Sequence, residues 1–334
     1  MKILIIKPSS LGDVIHALPF LSALCNTYPQ AKPHWVIARG LHDLLDGHPM
    51  IKKLWVIDKD QWKRPMRVKE SIAELNALRV GLREERFDVV VDLQGLFRSG
   101  VIAALSGCPL RIGFKEAREG SRLFYNQLVE GGSGLHAVDR YLRVATTALG
   151  CKGGSVDFPL PVTREPAGLL GALEDFTVIA PGARWQTKQW EAEKFAQVAA
   201  RLPLPSVVIG STGDTEVAAA VVAGSGQKAI NLAGRTSLKE LVGIISRARL
   251  MLTNDTGPMH IAAALNVPVF AVFGPTDPRL TGPYGSYGSF GHVFRTGIAC
   301  SPCRKKNCRT KKCMRDLSFQ SVYETIVDSG FLDI

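Results

Sequence analysis

The sequence predicts an α/β protein built from two open parallel sheets, and three observations carry that reading. Apolar runs of strand length recur, amphipathic stretches of helical length separate them, and the pattern breaks once near the middle and then restarts. Continuous apolar strands alternating with helices indicate parallel strands covered on both faces. At 334 residues the chain also exceeds one ordinary core, and two domains of roughly 150 residues are expected.

In the first half KILIIK (from Lys2), HWVIA (from His34), KLWVID (from Lys53) and FDVVVDLQ (from Phe87) read as strands. Before the last of them, ESIAELNALRVGLREERF places Ile72, Leu75, Leu78 and Leu82 at helical spacing. SSLGDVIHALP, from Ser9, opens the first helix. Pro19 falls inside it, where proline kinks or breaks a helix, so the turn carrying Asp13 is expected to stand apart. Residues 151–172 are rich in Gly and Pro with little periodicity, as in a linker. The alternation then resumes with FTVIAPGA, SVVIGSTGD, KAINLAG, RLMLTNDTG and VPVFAVFGPTD as strands, and with helices around WEAEKFAQVAARL, TEVAAAVVAG and SLKELVGIISRA. The expected domains are 1–160 and 161–315, with a terminal helix in 316–334.

Lys+Arg 41 against Asp+Glu 30 gives a net charge of +11, a field that favours polyanions: nucleic acid, nucleotides or an anionic membrane surface. No run approaches the ~20 apolar residues needed to span a bilayer. KILII is too short for the apolar core of a secretion signal, so a cytoplasmic location is expected. Seven cysteines in such a compartment argue against a disulfide framework.

Ligands of open parallel sheets bind at the carboxyl ends of strands. The candidate positions are therefore Lys7–Asp13, Asp92–Ser99, Pro181–Lys188, Gly210–Glu216, Thr253–His260 and Gly274–Asp277, in a cleft between the domains. In TNDTGPMHIAAAL a strand runs into a small-residue helix whose first N–H groups, at Thr256 and Gly257, suit a phosphate, with His260 one turn on. Asp255 or Thr256 serving only as a helix cap is an equal reading. In PGARWQTKQW, Thr187 and Lys188 supply a hydroxyl and a point charge that suit a diphosphate. Glu216 reads either as an acceptor for ribose hydroxyls or as the start of a surface helix. There is no GxxxxGK[ST] and no GxGxxG. With phosphates on the second domain, Asp13 on the first is placed to take a proton from an attacking hydroxyl.

IKPSSLGDVIHALP, DLQGLFRS and NDTGPMHIAAAL…VFGPTDP together resemble the family 9 glycosyltransferases, bacterial ADP-heptose transferases of lipopolysaccharide inner-core synthesis. The match is collinear over nearly the whole chain. SSLGDVIHALP is most similar to the heptosyltransferase I members, which act on Kdo. The resemblance implies a GT-B fold of two Rossmann-like domains, the first binding acceptor and the second nucleotide sugar, with the C-terminal helix crossing back to the first. It implies an inverting displacement needing no metal or other cofactor, with Asp13 as general base. Thr187, Lys188, Thr256 and Gly257 would hold the ADP-heptose diphosphate, with Asp255 and His260 beside sugar and phosphates and Glu216 as a further donor-side candidate. Lys7, Lys63, Arg64 and Arg118 would serve the Kdo-lipid A acceptor. A peripheral position on the anionic cytoplasmic face of the inner membrane follows, with no nucleic acid as partner. Transfer of a later inner-core heptose is the alternative within the family.

CSPCRKKNCRTKKC spaces Cys300, Cys303, Cys308 and Cys313 as C-x₂-C-x₄-C-x₄-C. The first pair has zinc-ligand spacing, and a structural zinc stands as one reading beside plain reduced thiols. A basic, Cys-clustered nucleic-acid-binding module is the alternative of another class, although the cluster has no interleaved aromatics for base stacking.

Overall fold

The computed structural model describes residues 1–59, 62, 68–162, 168–171, 173–285 and 291–332. The candidate acceptor residues Lys63 and Arg64 lie outside the described residues. The chain divides into two compact units, Met1–Pro161 and Val162–Ile334.

The first unit carries β1 (Lys2–Ile6), α1 (Leu11–His16), α2 (Leu18–Thr27), β2 (Lys32–Ala38), α3 (His42–Leu45), β3 (Lys53–Ile57), α4 (Val68–Glu85), β4 (Val89–Asp92), α5 (Phe97–Leu105), β5 (Arg111–Phe114), β6 (Gln127–Val129) and α6 (Ala137–Leu149). Its strands pair in the order β3-β2-β1-β4-β5-β6, all parallel. β1 is central, and Ile3 to Ile6 are fully buried, each such side chain contributing about 1.5–3 kcal/mol of burial. Pro19 sits in the first turn of α2 and not inside one continuous helix. Proline is tolerated there because its missing N–H has no intrahelical partner to lose. α1 is thus the separate turn that the proline implied.

The second unit carries β7 (Thr177–Ala180), α7 (Ala192–Arg201), β8 (Ser206–Val208), α8 (Thr215–Gly224), β9 (Ala229–Asn231), α9 (Leu238–Ser246), β10 (Met251–Asn254), α10 (Gly257–Ala264), β11 (Val269–Val272), α11 (Pro278–Thr281), β12 (Gly291–Phe294), α12 (Lys312–Arg315) and α13 (Phe319–Asp328). The order is β12-β11-β10-β7-β8-β9, again all parallel. The terminal helix α13 buries Val322 and Ile326 in a core cluster of the second unit, with Trp190, Phe195 and Val198.

Both sheets are doubly wound. The strand order reverses between β1 and β4 in the first and between β7 and β10 in the second, and ligands of such sheets bind outside the carboxyl ends at that reversal.

Candidate active site

At the reversal of the first sheet, β1 delivers Lys7 and the turn that follows delivers Asp13. Ser10 caps α1, and Asp13 closes a capping box with it. Asp13 Oδ2 accepts from the Ser10 N–H at 3.0 Å and from the Ser10 hydroxyl at 2.6 Å. Its Oδ1 faces Lys7 Nζ at 3.7 Å, and the carboxylate side chain keeps 37% exposure. Asp13 therefore caps through Oδ2 while Oδ1 faces the Lys7 ammonium, and the side chain stays within reach of solvent. Lys7 is 3% exposed. Its ammonium donates to Leu93 O at 3.2 Å and lies 5.1 Å from the Tyr141 ring centroid. Burial opposes its charge, but Asp13, Tyr141 and Asp92 outweigh burial and hold its pKa above the ordinary lysine value. The sequence offered Lys7 to the acceptor; in the structure its buried ammonium faces the Asp13 carboxylate.

Beside this, at the end of β4, Asp92 Oδ1 accepts the N–H groups of Gln94 and Gly95, bending DLQG into a turn whose Gly95 has φ +66, which favours glycine. Tyr125 donates to Asp92 Oδ2. Burial raises the pKa of both groups. The Arg118 N–H donates to Gly95 O at 2.9 Å, so the exposed Arg118 stands over the same turn. His16 packs edge-on to His136 at 5.0 Å.

At the reversal of the second sheet, the loops after β7 and β10 are joined by two devices. Asn254, buried at the end of β10, accepts from the Trp190 N–H and donates to Pro181 O. Lys188 Nζ pairs with Asp255 Oδ2 at 2.6 Å, and the Thr276 hydroxyl donates to the same oxygen. Thr256 occupies the N-cap position of α10 without a side-chain bond to the helix, and Pro258 follows in the first turn. Neither Asp255 nor Thr256 spends its side chain on capping, so the first amides of α10 keep their affinity for an anion. His260 is buried one turn along α10. Glu216 is exposed in the first turn of α8, at the same edge of the sheet. Gly182, after β7, lets the Asp214 carboxylate lie close against the backbone, where a Cβ would force that side chain to move.

Thr187 is 2% exposed, and its hydroxyl donates to Lys305 O at 2.9 Å, which ties the loop after β7 to the Cys-rich segment. The four cysteines of that segment carry free thiols, with Cys300 and Cys308 exposed. N–H groups of Lys311 and Thr310 pull the Cys308 pKa down. Burial raises that of Cys313, and the nearby Cys300, Cys303 and Cys308 add to the rise. Among the described residues, no group of three or more His, Cys, Asp or Glu side chains is arranged to hold a metal ion. Sequence reasoning missed Tyr141, and it placed Asn254 and Asp214 inside candidate loops without giving either a role.

The chain is 31% identical over 324 residues to lipopolysaccharide heptosyltransferase 1 of Pseudomonas aeruginosa, covering 92% of this chain and 87% of that protein. It superposes on the E. coli heptosyltransferase WaaC with ADP at a TM-score of 0.81 and 26% identity, covering 98% of this chain and 100% of the other. E. coli ADP-heptose lps heptosyltransferase II gives a TM-score of 0.79 at 26% identity, with 98% of each chain covered. The two doubly wound units are those of a GT-B fold. The profile described as glycosyltransferase family 9 (heptosyltransferase) matches residues 75–314, and with a reachable carboxylate on one sheet and a lysine and helix end on the other, the chain belongs to glycosyltransferase family 9.

Proposed function

We propose that the protein transfers L-glycero-D-manno-heptose from ADP-heptose to Kdo of the lipopolysaccharide inner core, with inversion at the anomeric carbon. The observation that carries this reading is Asp13: a carboxylate fixed by Ser10, faced by the Lys7 ammonium and still open to solvent. Asp13 takes the proton of the acceptor hydroxyl as that oxygen bonds to the anomeric carbon. The bond from that carbon to the diphosphate breaks on the opposite side, and ADP leaves with the electron pair. Lys188 and the amide end of α10 meet part of the developing charge. Asp255 holds the Lys188 ammonium in place, while Asn254 fixes the loop that carries it. Arg118 faces the acceptor side, and the basic balance of the chain suits Kdo carboxylates, lipid A phosphates and an anionic cytoplasmic membrane face.

The test is ADP release from ADP-heptose with Kdo₂-lipid A, comparing wild type with Asp13→Ala. Wild-type turnover is expected, together with a loss of roughly 10²–10⁴-fold in kcat for the variant and ADP affinity unchanged. A variant that keeps near-normal kcat removes Asp13 as the base. Turnover only on an acceptor that already carries one heptose assigns the chain to a later transfer.

A further inference from the structure

The Cys-rich segment is left over by the mechanism above, and its anchors lie on both sides of the donor site. At one end the Ser301 hydroxyl donates to Gly274 O at 2.6 Å and the Arg304 N–H to Pro275 O at 2.7 Å, in the loop after β11. At the next residue along, Lys305 O accepts from Thr187, in the loop after β7. β10 lies between β11 and β7 in the sheet. The segment therefore strides across the carboxyl end of β10, where Asp255 and the start of α10 are found. Lys306 follows at once, with its Nζ 5.3 Å from the Trp185 ring centroid. The Lys188 ammonium lies 4.8 Å from the centroid of that same ring. One half-buried indole thus carries two ammoniums, one from each chain segment.

We propose that Lys306 is a second cation on the donor's diphosphate, and that Thr187 is the positioning residue that delivers it. The inference rests on the donor reading given above and adds a residue to it. Lys188 is already matched by Asp255, so a diphosphate with more than one negative charge needs a further cation as its bond to the sugar breaks. Lys306 supplies it: among the described residues Lys306 has no salt-bridge partner, and the Trp185 face steers it by cation–π attraction. Thr187 sets its position through backbone, since the carbonyl it binds belongs to the residue immediately before Lys306.

The test is calorimetric binding of ADP to wild type, Lys306→Met, Thr187→Val and the double variant, with Lys312→Met as a control for loss of one charge. Lys306→Met is expected to weaken ADP roughly ten- to hundredfold, while AMP, which lacks the second phosphate, loses less. Thr187→Val is expected to weaken ADP in the wild-type background and to do nothing further once Lys306 is gone. Unchanged ADP affinity in Lys306→Met, or an equal loss in Lys312→Met, overturns the role of Lys306. A Thr187→Val loss that is the same in both backgrounds overturns its positioning role. If wild type fails to bind ADP at all, the donor reading itself fails and takes the inference with it; normal wild-type binding with an unaffected Lys306→Met sinks the inference alone.

Discussion

The side chain of Lys188 is 18% exposed and that of Asp255 only 6%, with 2.6 Å between ammonium and carboxylate. Such a pair does two things that a single substitution confuses. Removing the lysine takes a cation from the donor site and also leaves a buried carboxylate facing little more than the Thr276 hydroxyl. Breaking a buried pair from one side costs about 3–5 kcal/mol, because the charge left behind has no partner. Lys188→Met is therefore expected to lower the unfolding free energy and to weaken ADP by at least tenfold. In an Asp255→Asn background the stability loss should largely vanish, since no charge is stranded, while the loss of ADP affinity should remain. Urea unfolding and ADP titration of the four proteins in this cycle separate the roles. A loss of affinity that disappears along with the loss of stability would mean that Lys188 only holds the loop together.

At the scale of elements, β2 and the turn after α3 each bury a histidine in its neutral form. His34 on β2 accepts the Trp55 indole N–H at its Nδ1 and meets the Phe87 ring edge-on. His48 accepts the Met50 N–H at Nδ1 and uses Nε2 toward Pro159 O, pinning the residues before the boundary to the first unit. Burial lowers both pKa values. At His34 the lysines Lys53, Lys2 and Lys52 reinforce this against Glu85, and at His48 the bond to Pro159 opposes it. The unfolded chain then takes up these protons first. Stability is whole above the ordinary histidine value near 6.5 and is lost as pH falls through it towards the folded values, by at most about 1.4 kcal/mol per pH unit for each group. Urea midpoints should drop between pH 7.5 and 5.5, and a His34→Gln, His48→Gln protein should show a flatter profile. An equally steep profile in that variant would place the titrating groups elsewhere.

Over the whole molecule, what could be read from sequence follows from how far apart the interacting residues are. The long central strands were legible because burial on both faces forces unbroken apolar runs such as KILII and VPVFAV. β5 and the edge strands β6 and β12 were not, since RIGF, QLV and GHVF are three- or four-residue runs broken by Gly or by polar residues. Pro19 announced the break between α1 and α2 through its own backbone chemistry. Of the candidate site, the position of Asp13, Lys188 and the start of α10 in loops after strands was legible. The tie of Thr187 to Lys305 was not, because that carbonyl lies 118 residues away and no local pattern encodes it.

The net charge of +11 is also a property of the whole chain, and it governs the last prediction. Among the described residues no helix is long and apolar enough to cross a membrane, and the proposed lipid-borne acceptor makes surface attraction the contact to test. Exposed arginines and lysines attract an anionic leaflet with about 1 kcal/mol per side chain near the surface, and the attraction fades beyond a Debye length of about 10 Å at 0.1 M salt. The protein is expected to sediment with vesicles containing anionic lipid at low salt, to be released as sodium chloride rises to a few tenths molar, and to stay in solution with purely zwitterionic vesicles. Binding that ignores salt, or that is equal on neutral vesicles, would mean that apolar insertion holds the protein there. In that case the exposed Leu123 and Phe97, at the edge of the Arg118 loop, become the residues to substitute.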